Sequence, residues 1–109
     1  MGWKNIWGLL VMKPYVDQEI DENTKIRTFT SDSDPDEFQW HRDKEDREVT
    51  ILDITGDWKF QMDNSLPITL KKGDVLNIPN HIFHRLILDG SFLNRSFLVC
   101  RIRNRTSSN

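Results

Sequence analysis

The chain lacks several features that would each point to a class of protein. It has one cysteine, Cys100, in 109 residues, so no disulfide can form within it. That scarcity fits a reducing compartment, and a cytoplasmic setting is expected. No dense basic stripe is present: residues 1–48 hold twelve acids against seven bases and residues 49–109 five against eight, for a net charge of −2. Nucleic-acid binding needs concentrated positive charge, so no nucleic-acid partner is expected. The small basic cluster at residues 101–105 reads instead as a strand end and solvated terminus.

Long hydrophobic runs are also missing. The apolar stretch in MGWKNIWGLLVMK, residues 1–13, is too short to span a bilayer, so no membrane partner is expected. A secretory signal would need a small-residue cleavage site, which Lys13, Pro14 and Tyr15 do not supply. The segment reads as an interfacial amphipathic stretch or, better, as a strand or helix covering the domain or a partner subunit. Met12 offers an alternative start. Residues 1–24 are therefore expected to be an extension, 25–103 the folded body and 104–109 a disordered tail. Without a signal, the glycosylation patterns at Asn94 and Asn104 carry no weight.

Helical periodicity, internal repeats and low-complexity tracts are absent from the body as well. What is present is alternation punctuated by turns. Residues 25–30, 38–43, 49–54, 58–62, 67–70, 75–78, 83–88 and 96–103 read as strands. SDSDPDE at residues 31–37, Gly56, Asn64, Gly73, Pro79 and Gly90 mark the turns between them. Eight short strands at intervals of 8–12 residues favour an all-β sandwich or barrel. Four Trp and six Phe supply the bulky side chains for a core. Trp58, Phe60 and Met62 share one face of a half-buried strand, with Lys59 and Gln61 on the other. Cys100, inside the apolar run of residues 96–100, reads as a buried packing thiol rather than a nucleophile.

Two segments carry candidate chemistry. WHRDKEDRE, residues 40–48, contains His41-x-Asp43-x4-Glu48 ahead of a strand and Gly56. The stretch of residues 73–84 runs from Gly73 through Pro79 to His84. The second resembles the second signature of the cupin family: a glycine, five residues, a proline, then a histidine five residues later. The first resembles that family's first signature, with three departures. Asp43 stands where a second histidine is usual, seven residues rather than six separate Glu48 from Gly56, and His81 replaces a common glycine. The extra residue calls for a bulge or shifted turn. The resemblance covers residues 38–88 and implies a double-stranded β-helix, or jelly-roll barrel, with ligands pointing inward. WHRDKEDR followed by WKFQMDN also looks similar to small cupin-like proteins of marine tailed phages, which implies the same fold and no activity.

Strand alternation supports part of the ligand set, because His41 and Asp43 lie two apart and share a face. His84 would face them from another strand. Two imidazoles with one or two carboxylates suit a divalent first-row metal: iron(II), manganese or nickel beside zinc, ahead of copper(I). The expected set is His41, Asp43, Glu48 and His84. Against it stand plainer readings: Asp43 as one more solvated acid, His41 as a surface histidine, and His84 as a core histidine bonded to a carbonyl. Arg47 and Arg85 are expected to face away from the interior. An outward Phe38–Trp40 pair would need covering, which favours a homodimer. Function is expected to be metal binding, with metal-dependent chemistry on a small polar molecule in view. The alternative is a non-catalytic small-molecule or regulatory module.

Overall fold

The computed structural model describes residues 15–31, 38–89 and 96–105. The expected covering role of residues 1–13, most of the SDSDPDE loop, Gly90 and residues 106–109 lie outside the described residues. Eight strands lie among the described residues: β1 (Tyr15–Asp21), β2 (Thr24–Thr30), β3 (Asp46–Thr55), β4 (Asp57–Met62), β5 (Ile68–Thr69), β6 (Val75–Ile78), β7 (His84–Asp89) and β8 (Phe97–Arg105). They form a five-stranded sheet in the order β1-β2-β8-β3-β6 and a three-stranded sheet in the order β5-β4-β7. Every pairing is antiparallel. Among the described residues the fold is an all-β sandwich of two sheets.

The core lies where the alternating faces of the sheets meet. Trp58 and Phe60 on β4 oppose Val49 and Ile51 on β3 and Leu98, Cys100 and Ile102 on β8, all buried. Spacing of two along each of these strands places the apolar residues on one face. The Trp58 indole N–H donates to the Thr55 carbonyl at 3.0 Å, which satisfies the polar end of a fully buried ring. Lys59 points outward, pairing with Asp89 at 2.6 Å.

The count of strands matches the sequence reading, but one member differs. Residues 38–43 do not form a strand. Only His41 pairs, through an isolated bridge to His84. The eighth strand is β1, inside the stretch expected to be a covering extension. It pairs with β2 along its length, and Asp17 on β1 takes a bidentate contact from Arg27 on β2, at 2.8 and 3.0 Å. Strand β8 likewise runs on to Arg105, two residues past the expected end of the body.

The bulge required by the extra residue before Gly56 is present. The pairing of β3 with β8 shifts register between Ile51 and Asp53. Gly56 itself has φ of 104°, and a Cβ there would sit 2.7 Å from the Ser96 Cβ, so only glycine suits this turn. His81 adopts φ of 64°. A histidine thus occupies a left-handed position where glycine is common in the resembling family, and its side chain is exposed.

Two expectations follow. His81→Gly removes the left-handed penalty of a side-chain-bearing residue and should stabilise the protein by up to about 1 kcal/mol in urea unfolding; a loss of stability would contradict a left-handed backbone there. Burial pushes the Cys100 thiol up to about 12 from 9.0, with Arg27 opposing. Because the folded value is raised, the thiol's contribution to stability is complete below 9 and is lost as pH climbs from 9 towards 12. Native protein at pH 8 should resist a thiol reagent that labels the urea-unfolded chain at once; rapid native labelling would show that Cys100 is not enclosed.

Candidate functional site

The site grows from the bridge between the segment before β3 and the start of β7. His41 and His84 exchange backbone hydrogen bonds, His41 N–H to the His84 carbonyl at 3.0 Å and the reverse at 2.8 Å. This places the two imidazoles edge to face with centroids 4.5 Å apart. Each ring is oriented by a carbonyl two residues earlier, His41 Nδ1 by Gln39 at 2.8 Å and His84 Nδ1 by Ile82 at 2.9 Å. A carbonyl only accepts, so both Nδ1 atoms carry hydrogen and both Nε2 atoms are left as the reactive nitrogens. Phe60 lies against the His84 ring at 5.7 Å.

Asp43 joins the pair. Its Oδ2 lies 3.3 Å from His84 Nε2 and 3.3 Å from Arg47 Nη1. Burial raises the Asp43 carboxyl, but contact with His84 and the charge of Arg47 outweigh it and hold the group below its ordinary 3.8. Even so, Oδ2 is enclosed without a hydrogen bond of proper geometry, and so is Arg47 Nε. The sequence reading of His41, Asp43 and His84 as neighbours therefore describes three side chains that the fold does bring together.

Glu48 is not among them. Its carboxylate accepts from Arg105 Nη2 at 2.7 Å. The reason is parity: Val49 and Ile51 face the core, so Arg47 shares their side and Glu48 takes the opposite one. Arg47, expected to face away, instead lines the interior. Val49-Thr50-Ile51 carried that signal in the sequence, since two β-branched apolar residues around a threonine fix which face is inward. The Phe38–Trp40 pair is also corrected. Phe38 packs towards the core with its ring stacked on Trp58 at 6.2 Å, and Trp40 alone stays exposed, under the Arg85 guanidinium at 4.8 Å. Arg85 does face outward, donating also to Gln61 at 3.0 Å.

The interior between the sheets holds a cavity of about 290 Å³. Its apolar walls come from both sheets, and its polar lining is Arg27, His41, Asp43, Arg47 and His84. Among the described residues, no three His, Cys, Asp or Glu side chains are arranged as a cage for a metal ion. The donor chemistry partly suits one, because two imidazoles lie against each other and a carboxylate lies beside one of them. The placement does not, because Asp43 is drawn towards Arg47 and the fourth expected ligand lies on the other face of β3.

No family model matches the sequence, and no curated protein matches it. Solved structures do resemble the fold. A presumptive mannose-6-phosphate isomerase of Ralstonia eutropha JMP134 is 20% identical, with TM-score 0.61, covering 84% of this chain and 83% of that one. A cupin-2 domain protein of Shewanella frigidimarina is 14% identical, with TM-score 0.57 and coverage of 96% and 94%. An RmlC-like cupin of Methanocaldococcus jannaschii, with a double-stranded β-helix fold, is 17% identical, with TM-score 0.54 and coverage of 86% and 82%. At these identities the likeness speaks to the fold. With its two antiparallel sheets enclosing a cavity and a histidine pair at the bridge between them, the chain has the cupin fold, the double-stranded β-helix.

Proposed function

We propose that the barrel binds a small, largely apolar molecule between its sheets, with the His41–Asp43–His84–Arg47 cluster holding its polar part. The cavity carries this reading. Small-molecule sites combine apolar walls with a few convergent polar groups, and the lining here has that composition. Its volume accommodates roughly ten water-sized groups, which limits the ligand to a small molecule. Nothing in the reading requires catalysis, so a binding or regulatory module is the form that the geometry favours.

A second reading is supported by the orientation of the rings. If His84 is neutral, its Nε2 lone pair meets the Asp43 carboxylate at 3.3 Å, a contact that a proton or a cation between them would relieve. A divalent iron, manganese, nickel or zinc ion would be held by His41 and His84 with Asp43 turned from Arg47, and would supply Lewis acidity to a bound molecule. Glu48 has no part in this version. A homodimer also belongs to the proposal. It is supported by exposed Ile68 and Val75 on the edge strands β5 and β6, with exposed Leu66 two residues before Ile68. A monomer in sedimentation equilibrium would overturn it.

The readings separate experimentally. Native mass spectrometry of the purified chain should show a small organic molecule released on unfolding, and Leu86→Trp, which fills the cavity, should abolish it while the fold persists by circular dichroism. Retention of the molecule in that variant would place its site elsewhere. Elemental analysis without chelator tests the metal version: near-stoichiometric metal in the parent, lost in both His41→Ala and His84→Ala, supports it. Metal-free parent protein with a retained organic molecule leaves the first reading alone.

A further inference from the structure

We infer that the outward side of the histidine bridge is a docking surface for an acidic segment of another protein. The inference concerns the outside of the barrel and does not depend on what the cavity holds. His41 and His84 form an antiparallel bridge and line the cavity, so their neighbours stand in two facing rows on the outer side. Trp40 faces Arg85 in one row, and Arg42 faces Phe83 in the other. Each row is a stack, with the Arg85 guanidinium 4.8 Å from the Trp40 ring centroid and the Arg42 guanidinium 5.0 Å from that of Phe83. The aromatic residues remain open to solvent, Trp40 at 43% and Phe83 at 40% exposure, with Ile82 beside them at 38%.

Both guanidiniums are uncompensated. Among the described residues neither forms an ion pair with a carboxylate. Asp63 is tied to this spot through its backbone, N–H to the Phe83 carbonyl at 2.8 Å, yet it is in no ion pair with either. Arg85 is fixed by a short chain of bonds: its Nε donates to Gln61 Oε1 at 3.0 Å, and Gln61 Nε2 donates to the Ser65 carbonyl at 2.9 Å. A partner would therefore meet a charge that is already oriented.

Charge and composition choose the partner. Aromatic side chains and arginines are enriched at the energetic centres of protein interfaces. A second copy presenting the same face would bring four uncompensated guanidiniums together, so the surface is not self-complementary. Two cations are too few to hold a nucleic-acid backbone on a chain of net charge −2, and each ring that a base would stack on already carries a guanidinium. What fits is an extended segment with two acids and flanking apolar residues on one face. The arginines lie diagonally across the bridge, roughly 7–8 Å apart by cross-strand geometry, and acids two residues apart on an extended segment are about 7 Å apart.

NMR titration of the full chain with the acetylated and amidated heptapeptide Leu-Thr-Glu-Thr-Glu-Thr-Leu tests this. The Trp40 indole N–H and the Arg42 and Arg85 Nε–H resonances should shift together and saturate. The peptide with Gln for both Glu should bind about fivefold or more weakly, the effect expected of two exposed ion pairs. Arg42→Gln combined with Arg85→Gln, both on the outer side, should bring the two peptides to within about twofold. Equal binding of the two peptides to the parent chain overturns the acidic partner. A seven-nucleotide oligothymidylate binding as tightly as the Glu peptide overturns it in favour of nucleic acid. Loss of self-association in the double variant, read by sedimentation equilibrium, overturns it in favour of a second copy. Absence of a saturable shift at these three residues with the Glu peptide, up to about 10 mM, overturns the surface itself.

Discussion

The structure turns on the side-chain alternation of β3. Val49 and Ile51 are buried against β8 and the facing sheet, and a strand cannot bury them without presenting Arg47 on the same face. A slip of one residue would put Glu48 inside and both apolar side chains into water, losing roughly 1.5–3 kcal/mol for each. The apolar pair therefore decides which charge the interior receives. It receives an arginine, and that one outcome governs the electrostatics of everything around it.

A guanidinium inside a barrel must be answered, since an isolated buried charge is far more costly than a paired one. Asp43, four residues before Arg47, answers it. The same logic holds two strands away in the five-stranded sheet. Arg27 is buried on β2 and is met by Asp17 from β1. β1 is thus part of the barrel's electrostatic balance as well as an added edge strand. The two pairs balance both arginines of the cavity lining.

Much of this was legible in the sequence, and the gaps have physical causes. The turns at Gly56, Asn64, Gly73 and Pro79 were legible because each needs a backbone that few residues adopt, and three of these four or their neighbours have positive φ. The phase of β4 was legible from Trp58 and Phe60. β1 was not: YVDQEID has three acids and a glutamine, and it is an edge strand whose partner residues lie in β2. It is ordered as one arm of a hairpin with β2, held by Asp17 to Arg27, and so acidic a stretch shows no apolar alternation to mark it as a strand. Residues 38–43 misled in the opposite sense, because alternation alone does not supply a neighbour. β7 is already paired with β4 from His84 to Asp89, and only the His41 bridge remains. Glu48 was placed inward by motif spacing, although the apolar residues just after it fixed the opposite phase.

The turn at His81 shows how the site is held. His81 N–H donates to the Asp43 carbonyl at 2.7 Å, and Asn80 N–H donates to Asp46 Oδ1 at 2.7 Å. With the two bonds between His41 and His84, these fasten the turn before β7 to the segment before β3 on both sides of the histidine pair. The left-handed backbone at His81 costs energy that the exposed imidazole does not visibly recover, yet it aims that N–H at Asp43. Backbone bonds thus hold His41, Asp43 and His84 together, and a bound group is not needed to assemble them. A molecule entering the cavity would meet polar atoms already in position, so its binding free energy need not include ordering that segment. The strain at one turn residue and the readiness of the site are, on this geometry, two consequences of the same set of hydrogen bonds.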